Sequence, residues 1–316
     1  MGGLVESDLA AAVGKAGGYP IMPYSWSSSG EIEKSIRSLR ANTDAPFAVN
    51  LCLDFPQEAR LDLCLSHGPN AVHFFWGDAA PYVKDVHAAG ALVIQTVSDS
   101  KQAIKAVDAG VDILIAQGWE AGGHVRGSVA TFALIPAVVD VAGSVPVLAA
   151  GGISDGRGLA AALCLGASGV VMGTRFAAST ESAAHPDYIS RIVDAGHSDT
   201  VHETELYNIG WSNAAHRVLR SDLVDRWLAD GRPDNLTRHR AGEIVATRGS
   251  AEFMTYQSAT PHRRMHGEIE ALSMWAGQSA GLINSVEPAA SIITTIIREA
   301  HIAIGSHLHK RTEPAE

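Results

Sequence analysis

The chain has 316 residues, 46% hydrophobic and 18% charged, a balance that suits a soluble globular enzyme and excludes a disordered or low-complexity chain. Its 34 acidic and 24 basic side chains leave a net charge of -10, which argues against nucleic-acid partners; a bound anion would have to be held by local backbone N–H groups. Three scattered cysteines, Cys52, Cys64 and Cys164, form no CxxC pair, which argues against a thiolate metal site and reads as reduced thiols of a cytoplasmic protein.

The N-terminal MGGLVESDLA has no basic n-region or apolar h-region, and Glu6 stands where a myristoylation signal needs Ser or Thr. The longest apolar runs are about eight residues, against roughly twenty for a membrane span. A cytoplasmic enzyme without a membrane partner is expected.

The spacing predicts a first helix over 7–16, with Ser7 as N-cap and Gly17–Gly18 as stop signal. Strand-like runs then recur: YPIMPYS (19–25), PFAVNLCL (46–53), AVHFFWG (71–77), ALVIQTVS (91–98), VDILIAQG (111–118), VPVLAAGG (145–152) and GVVMGTRF (169–176). Helical spacing appears between them, as at 30–41, 100–109, 134–141 and 158–165.

Near-continuous apolar strands alternating with amphipathic helices indicate a parallel sheet covered on both faces, and their regular repetition favours a (β/α)8 barrel, a TIM barrel, over an open doubly wound sheet. Seven strands are countable rather than eight. The deficit lies at the front, where Met1 is followed by Gly-Gly and a helix, so the first strand reads as absent and two sheet edges as open. Pairing of two chains in a homodimer would cover them.

After Ser179 no strong strand run is evident, and helices are predicted over 185–195, 222–229 and 287–307, the last with Pro288 in its first turn. The organisation expected is a barrel from 1–178 plus about 281–316, with 179–280 as a helical substrate or lid domain. The terminal HKRTEPAE reads as disordered.

Three segments carry chemistry. AAGGISDGRG (149–158) follows an apolar strand, and its glycines let backbone N–H groups, at the turn or the helix start, approach a phosphate. Gly173 and Thr174 end the next strand, so in a barrel they stand beside Gly151 and Gly152 as a second jaw of the same clamp. Arg175 has a competing role in an ion pair with Asp155 or Glu181. QGWEAGGH (117–124) places His124 at a strand's carboxyl end, where an imidazole suits proton transfer; Glu120 either orients that ring or makes a loop hydrogen bond. Asn50, Gln95, Thr96 and Gln117 also end strands, and their amides and hydroxyl suit the mixed donors and acceptors of a flavin edge. No Rossmann GxGxxG, GxxxxGK[ST] or GxSxG occurs. The pairs His262/His266 and His307/His309 lack acidic neighbours in sequence, so no metal is expected.

At AAAVGKAGG, PFAVNL, AQGWEAGGH, PVLAAGGISDGRG, VMGTRF and WAGQSAGLI the chain resembles the nitronate monooxygenase (2-nitropropane dioxygenase) family, which includes FMN-dependent enoyl-acyl-carrier-protein reductase II. The resemblance covers nearly the whole chain. It implies a (β/α)8 barrel, a helical substrate domain and non-covalent FMN. His124 would be the active-site base, and Gly151, Gly152, Gly173 and Thr174 would hold the phosphate. Asn50, Gln95 and Thr96 would approach the ring, and Met1 and Gly2, matching the end of the family's first strand, would add backbone contacts.

The implied reaction is oxidation of alkyl nitronates by O2 to a carbonyl compound and nitrite. NAD(P)H-dependent reduction of an enoyl thioester or quinone is the alternative within the family, and a degenerate barrel acting as a binding protein is the alternative outside it. One bacterial class of the family carries Lys-Cys near the ring and GHPGE after the histidine. This chain has Thr96–Val97 and GHVRG instead.

Overall fold

In a computed structural model, which describes residues 2–309, all seven apolar runs become strands of one parallel sheet. They are β1 (Ile21–Pro23), β2 (Ala48–Cys52), β3 (Ala71–Phe75), β4 (Leu92–Val97) and β5 (Ile113–Gln117), then, after the two-residue β6 (Gly123–His124), β7 (Val147–Ala150) and β8 (Gly169–Val171). The order β1-β2-β3-β4-β5-β7-β8 curls as a barrel does, and among the described residues β1 and β8 are its unpaired ends. The expected contact from Met1 lies outside the described residues, as does most of HKRTEPAE.

Why the runs are continuously apolar is visible in their two faces. Val49, Leu51, Val72, Phe74, Val93, Val97 and Leu114 face the helices, while Ala48, Ala71, Ile94, Ile115 and Ala150 fill the inside of the curl. Both faces exclude water, so alternation with polar residues is lost.

The helices are α1 (Ser7–Lys15), α2 (Ser29–Asn42), α3 (Glu58–Ser66), α4 (Val83–Ala88), α5 (Ser100–Asp108), α6 (Thr131–Ala142) and α7 (Gly156–Cys164), followed by the single turn α8 (Thr174–Ala177). Caps set several starts. Ser28 and Glu31 form a reciprocal capping box on α2, and Asp99 accepts the Gln102 N–H on α5. For α1 the N-cap is Glu6 rather than Ser7, which is already helical and whose hydroxyl accepts from Ser38.

After α8 come α9 (Pro186–Val193), β9 (Thr200–Glu203), β10 (His216–Leu219), α10 (Asp222–Ala229), β11 (Ile244–Arg248), β12 (Ala251–Met254), β13 (His266–Gly267) and α11 (Ala289–His309). The segment 179–280 is therefore mixed rather than helical. It supplies the sheet β12-β11-β13 and two of the three strands of β6-β10-β9, over a core of its own that includes Leu206, Tyr207, Val218, Trp227 and Tyr256. Its strands are too short and too charged to announce themselves.

The final helix α11 packs on both α7 and α1, so the outer helical layer runs across the gap between the sheet's two ends. Gly156 permits this: a Cβ there would collide with Glu299 and the backbone of Ile296 and Ala300.

Glu6 also ties the front of the chain to the late segment. Its carboxylate lies 3.2 Å from His262 Nε2, 2.6 Å from Arg263 Nη2 and 2.8 Å from Arg264 Nη2, so His262 does have an acidic partner after all. Burial works against the charge, but His262 and the two guanidiniums outweigh it and hold the carboxyl below its ordinary value. A group lowered in this way stabilises above the unfolded-state value and loses that contribution as pH falls through the folded value. Glu6→Gln is thus expected to lower the melting temperature at pH 7, with the gap to wild type closing in acid; an equal gap at both ends would refute the linkage.

Candidate active site

At the carboxyl end of β5 the chain does not run straight into α6. It makes the QGWEAGGH loop, whose last two residues pair antiparallel with β10, His124 opposite His216 and Gly123 opposite Arg217. Arg217 locks the pairing, donating through Nη2 to Trp119 O at 2.9 Å with its guanidinium over the Trp119 ring. His124 therefore sits on a strand held by the late segment.

Its ring is enclosed by aromatics. Trp211 stacks on it with centroids 4.0 Å apart at 26°, Trp275 lies 4.9 Å away, and Trp76 meets it edge-on at 6.2 Å. Burial disfavours the imidazolium, and the neighbouring His216 adds to that, pushing the His124 pKa down to about 3. His124 Nε2 is buried without a hydrogen-bond partner. The result is a neutral imidazole with one nitrogen uncommitted.

Asp54 Oδ2 accepts from Trp211 Nε1 at 3.0 Å. Two clefts share that aspartate: one of about 330 Å³ beside Phe55, Asn208 and Trp211, the other of about 280 Å³ beside Trp76, Arg126 and Asn213. The larger reaches the lower end of the range for small-molecule sites.

The glycine turns converge beside this loop. β7 and β8 pair with Ala150 opposite Val171, which brings Gly151–Gly152 next to Gly173–Thr174. Gly151 and Gly152 take φ of +102° and +71°, a conformation that favours glycine. The N–H groups of Gly152 and Gly173 donate to nothing among the described residues. The start of α7 is by contrast already satisfied, since Asp155 accepts from Arg157 and Gly158 and Glu299 accepts from Gly156. The turn, not the helix end, is what remains open to an anion.

A third strand of the cradle was not read from the sequence. Gly277 N–H donates to Thr174 Oγ1 at 3.0 Å and Gln278 N–H to Glu120 O at 3.0 Å, so the WAGQ segment lies across both the clamp and the histidine loop. A Cβ on Gly122 would land on Gly277 N and stand 2.8 Å from Ala276 Cα. Gly122→Ala is expected to cost about 1–3 kcal/mol of stability through overpacking and to part this loop from residues 276–278. Unchanged thermal unfolding together with unchanged flavin affinity would show that the close approach is dispensable.

Several side chains have other partners than the sequence suggested. Glu120 turns away from His124 and accepts from Thr131 N and Oγ1 at 2.8 and 2.9 Å. Arg175 makes no ion pair with Asp155 or Glu181; it donates to the carbonyls of Ala178 and Ser285. Thr96 and Gln117 share the inner face with Ile94 and Ile115, and Gln117 donates to His124 O at 3.3 Å. Gln95 shares the outer face with Val93 and Val97 and donates to Gly77 O, so its side chain is turned away from the inside of the curl. A Cβ at Gly2 would face Trp26, part of the aromatic group with Phe55 and Trp211. Trp76, Trp211, Trp275 and His216 escaped sequence reading, because they come from three segments remote in the chain.

A curled parallel sheet with an imidazole and glycine turns at its carboxyl end is the arrangement of a (β/α)-barrel enzyme. The family follows from comparison: residues 54–299 match the nitronate monooxygenase family model, and the chain belongs to that family. It is 33% identical to (3aS,4S,5R,7aS)-5-hydroxy-7a-methyl-1-oxo-octahydro-1H-indene-4-carboxyl-CoA dehydrogenase of Mycobacterium tuberculosis, covering 98% of this chain and 94% of that one. It is 31% identical to a nitronate monooxygenase of Pseudomonas aeruginosa, covering 94% and 93%. Among solved structures, FabK from Thermotoga maritima superposes with a TM-score of 0.82 at 34% identity, covering 98% and 93%. No helix among the described residues is long and apolar enough to cross a membrane.

Proposed function

We propose that this protein is an FMN-dependent oxidoreductase that oxidises alkyl nitronates with O2 to a carbonyl compound and nitrite, with His124 as active-site base. The carrying observation is the neutral, aromatic-boxed His124 with an uncommitted Nε2 at the mouth of the curl. The donor set suits FMN: unpaired N–H groups at Gly152 and Gly173 for the phosphate, and the Asn50, Thr96 and Gln117 side chains on the inner face for the ring. When bound, FMN supplies the electron-accepting chemistry that connects an organic substrate to O2.

The chain's own residues do the rest. Trp211 and Trp275 exclude water from the imidazole and keep it uncharged. Where a neutral nitroalkane is taken, His124 Nε2 accepts the proton from the carbon bearing the nitro group, and the nitronate is left in place. The unit 179–280 would cover the substrate, since it supplies Trp211 and Trp275 to the box.

The test is O2 consumption and nitrite release by the FMN-loaded protein given ethylnitronate or propyl-2-nitronate. Retention of FMN with no O2 uptake would sink the assignment. The likeness to FabK, together with that to a carboxyl-CoA dehydrogenase, favours a second reading: NAD(P)H-dependent reduction of an enoyl thioester. Anaerobic bleaching of the flavin by NADH, without nitronate turnover, would select it.

A further inference from the structure

One buried titratable side chain is not used by this chemistry. His73 lies on β3 in register with Asn50 of β2, and shares the inner face with Asn50 and Thr96. Asn50 Nδ2 is 3.1 Å from His73 Nδ1 and 3.2 Å from His73 O, and His73 Nε2 is 2.7 Å from Thr96 Oγ1. Three strands are thereby linked by one line of hydrogen bonds.

The line has a fixed direction. A carbonyl oxygen can only accept, so the Asn50 atom beside His73 O must be the amide nitrogen. That nitrogen has two hydrogens, one for His73 O and one for Nδ1. Nδ1 is then an acceptor, so a neutral imidazole carries its proton on Nε2 and donates it to Thr96 Oγ1. Two groups are left over, Asn50 Oδ1 as an acceptor and the Thr96 hydroxyl hydrogen as a donor. Rotating the amide would set Oδ1 against the His73 carbonyl, and moving the proton to Nδ1 would set two donors against each other.

We infer that His73 is a positioning residue: with its backbone carbonyl holding the Asn50 amide, its imidazole relays that order to Thr96 and turns the hydroxyl hydrogen outward, so that the pair selects a planar ring edge carrying an N–H beside a C=O. The inference rests on the FMN reading above, because an isoalloxazine edge carries that pattern. Without the imidazole, the backbone carbonyl of residue 73 would still hold the Asn50 amide, but the Thr96 hydroxyl would be free to present either polarity.

Two measurements test it. Heteronuclear NMR of the apoprotein labelled at histidine should show His73 as the Nε2-protonated tautomer; the Nδ1-protonated form would overturn the inference, whether or not FMN binds. FMN titration should then give a dissociation constant raised about tenfold in His73→Leu, with a displaced flavin absorption band. His73→Gln, which keeps a donor toward Thr96, should recover part of both, and Thr96→Val should reproduce the band displacement in a chain whose His73 is intact. Wild-type affinity and an unmoved band in folded His73→Leu would overturn the inference while leaving the FMN reading intact. Failure of wild type to bind FMN would end that reading and this one's ligand, while the NMR result would still decide the tie itself.

Discussion

His124→Ala is expected to keep its flavin and to lose about 10²-fold or more in turnover of nitroalkanes, the scale of a general base. The FMN contacts proposed here come from the glycine turns and the inner face, none of which His124 supplies, so the absorbance of the loaded variant should match wild type. Burial holds the imidazole well below its ordinary value, so it needs no deprotonation to act, and kcat/KM should show no inflection near the ordinary histidine value of 6.5. Preformed nitronates need no proton removal, so the same variant should lose far less with them than with the parent nitroalkanes. Comparing the two substrates at equal flavin loading makes the check. An equal loss on both would move His124 from base to binding group, and undiminished turnover on both would remove it from the reaction.

The barrel was legible because burial on both faces of a parallel strand leaves no room for polar residues, and all seven runs stand out for that reason. The late strands were not, because TVHE and HRVL mix charge with apolar residues. Arg217 is buried in HRVL because Trp119 supplies a carbonyl and a ring and Thr200 a hydroxyl, contacts no spacing reveals. His124 and the glycine turns could be placed because each follows a recognisable strand. The box around His124 could not, since Trp76, Trp211 and Trp275 meet only in three dimensions. Gln95 is a different kind of miss. Neighbours in a strand face opposite ways, so Gln95 and Thr96 cannot both point inward, and the inward Ile94 already decides for Thr96. His73 likewise was visible as the one ionisable residue in the apolar run AVHFF.

The second large effect concerns acid. His73 and His216 are buried and His124 is half-buried with its Nε2 enclosed, and desolvation lowers them to about 3, about 4 and about 3 respectively from an ordinary value of 6.5, so all three are neutral. The hydrogen bonds agree with the uncharged form. His216 Nδ1 is 2.8 Å from Ala214 O and so carries the proton, which leaves Nε2 to accept from Tyr207 N–H at 3.2 Å. Protonating that nitrogen would set donor against donor, and the same holds at His73 Nδ1 facing the Asn50 amide.

Below pH 6.5 the unfolded chain therefore binds more protons than the folded one, and stability must fall as pH falls until the folded values are reached. Each proton contributes about 1.4 kcal/mol per pH unit, so three give a limiting slope of about 4 kcal/mol per unit. At pH 5 the loss is set by the unfolded value alone, because the folded values lie at least a unit lower. It comes to about 6 kcal/mol, comparable with the whole stability of many domains. Urea unfolding at pH 8, 6.5 and 5 should show little change over the first interval and a collapse of the midpoint over the second. His216→Gln, relieved of one such proton, should have a shallower decline even if it starts lower. A midpoint that stays level between pH 6.5 and 5 would mean that these imidazoles reach solvent in the folded state, and the neutral His124 on which the proposed chemistry depends would fall with it.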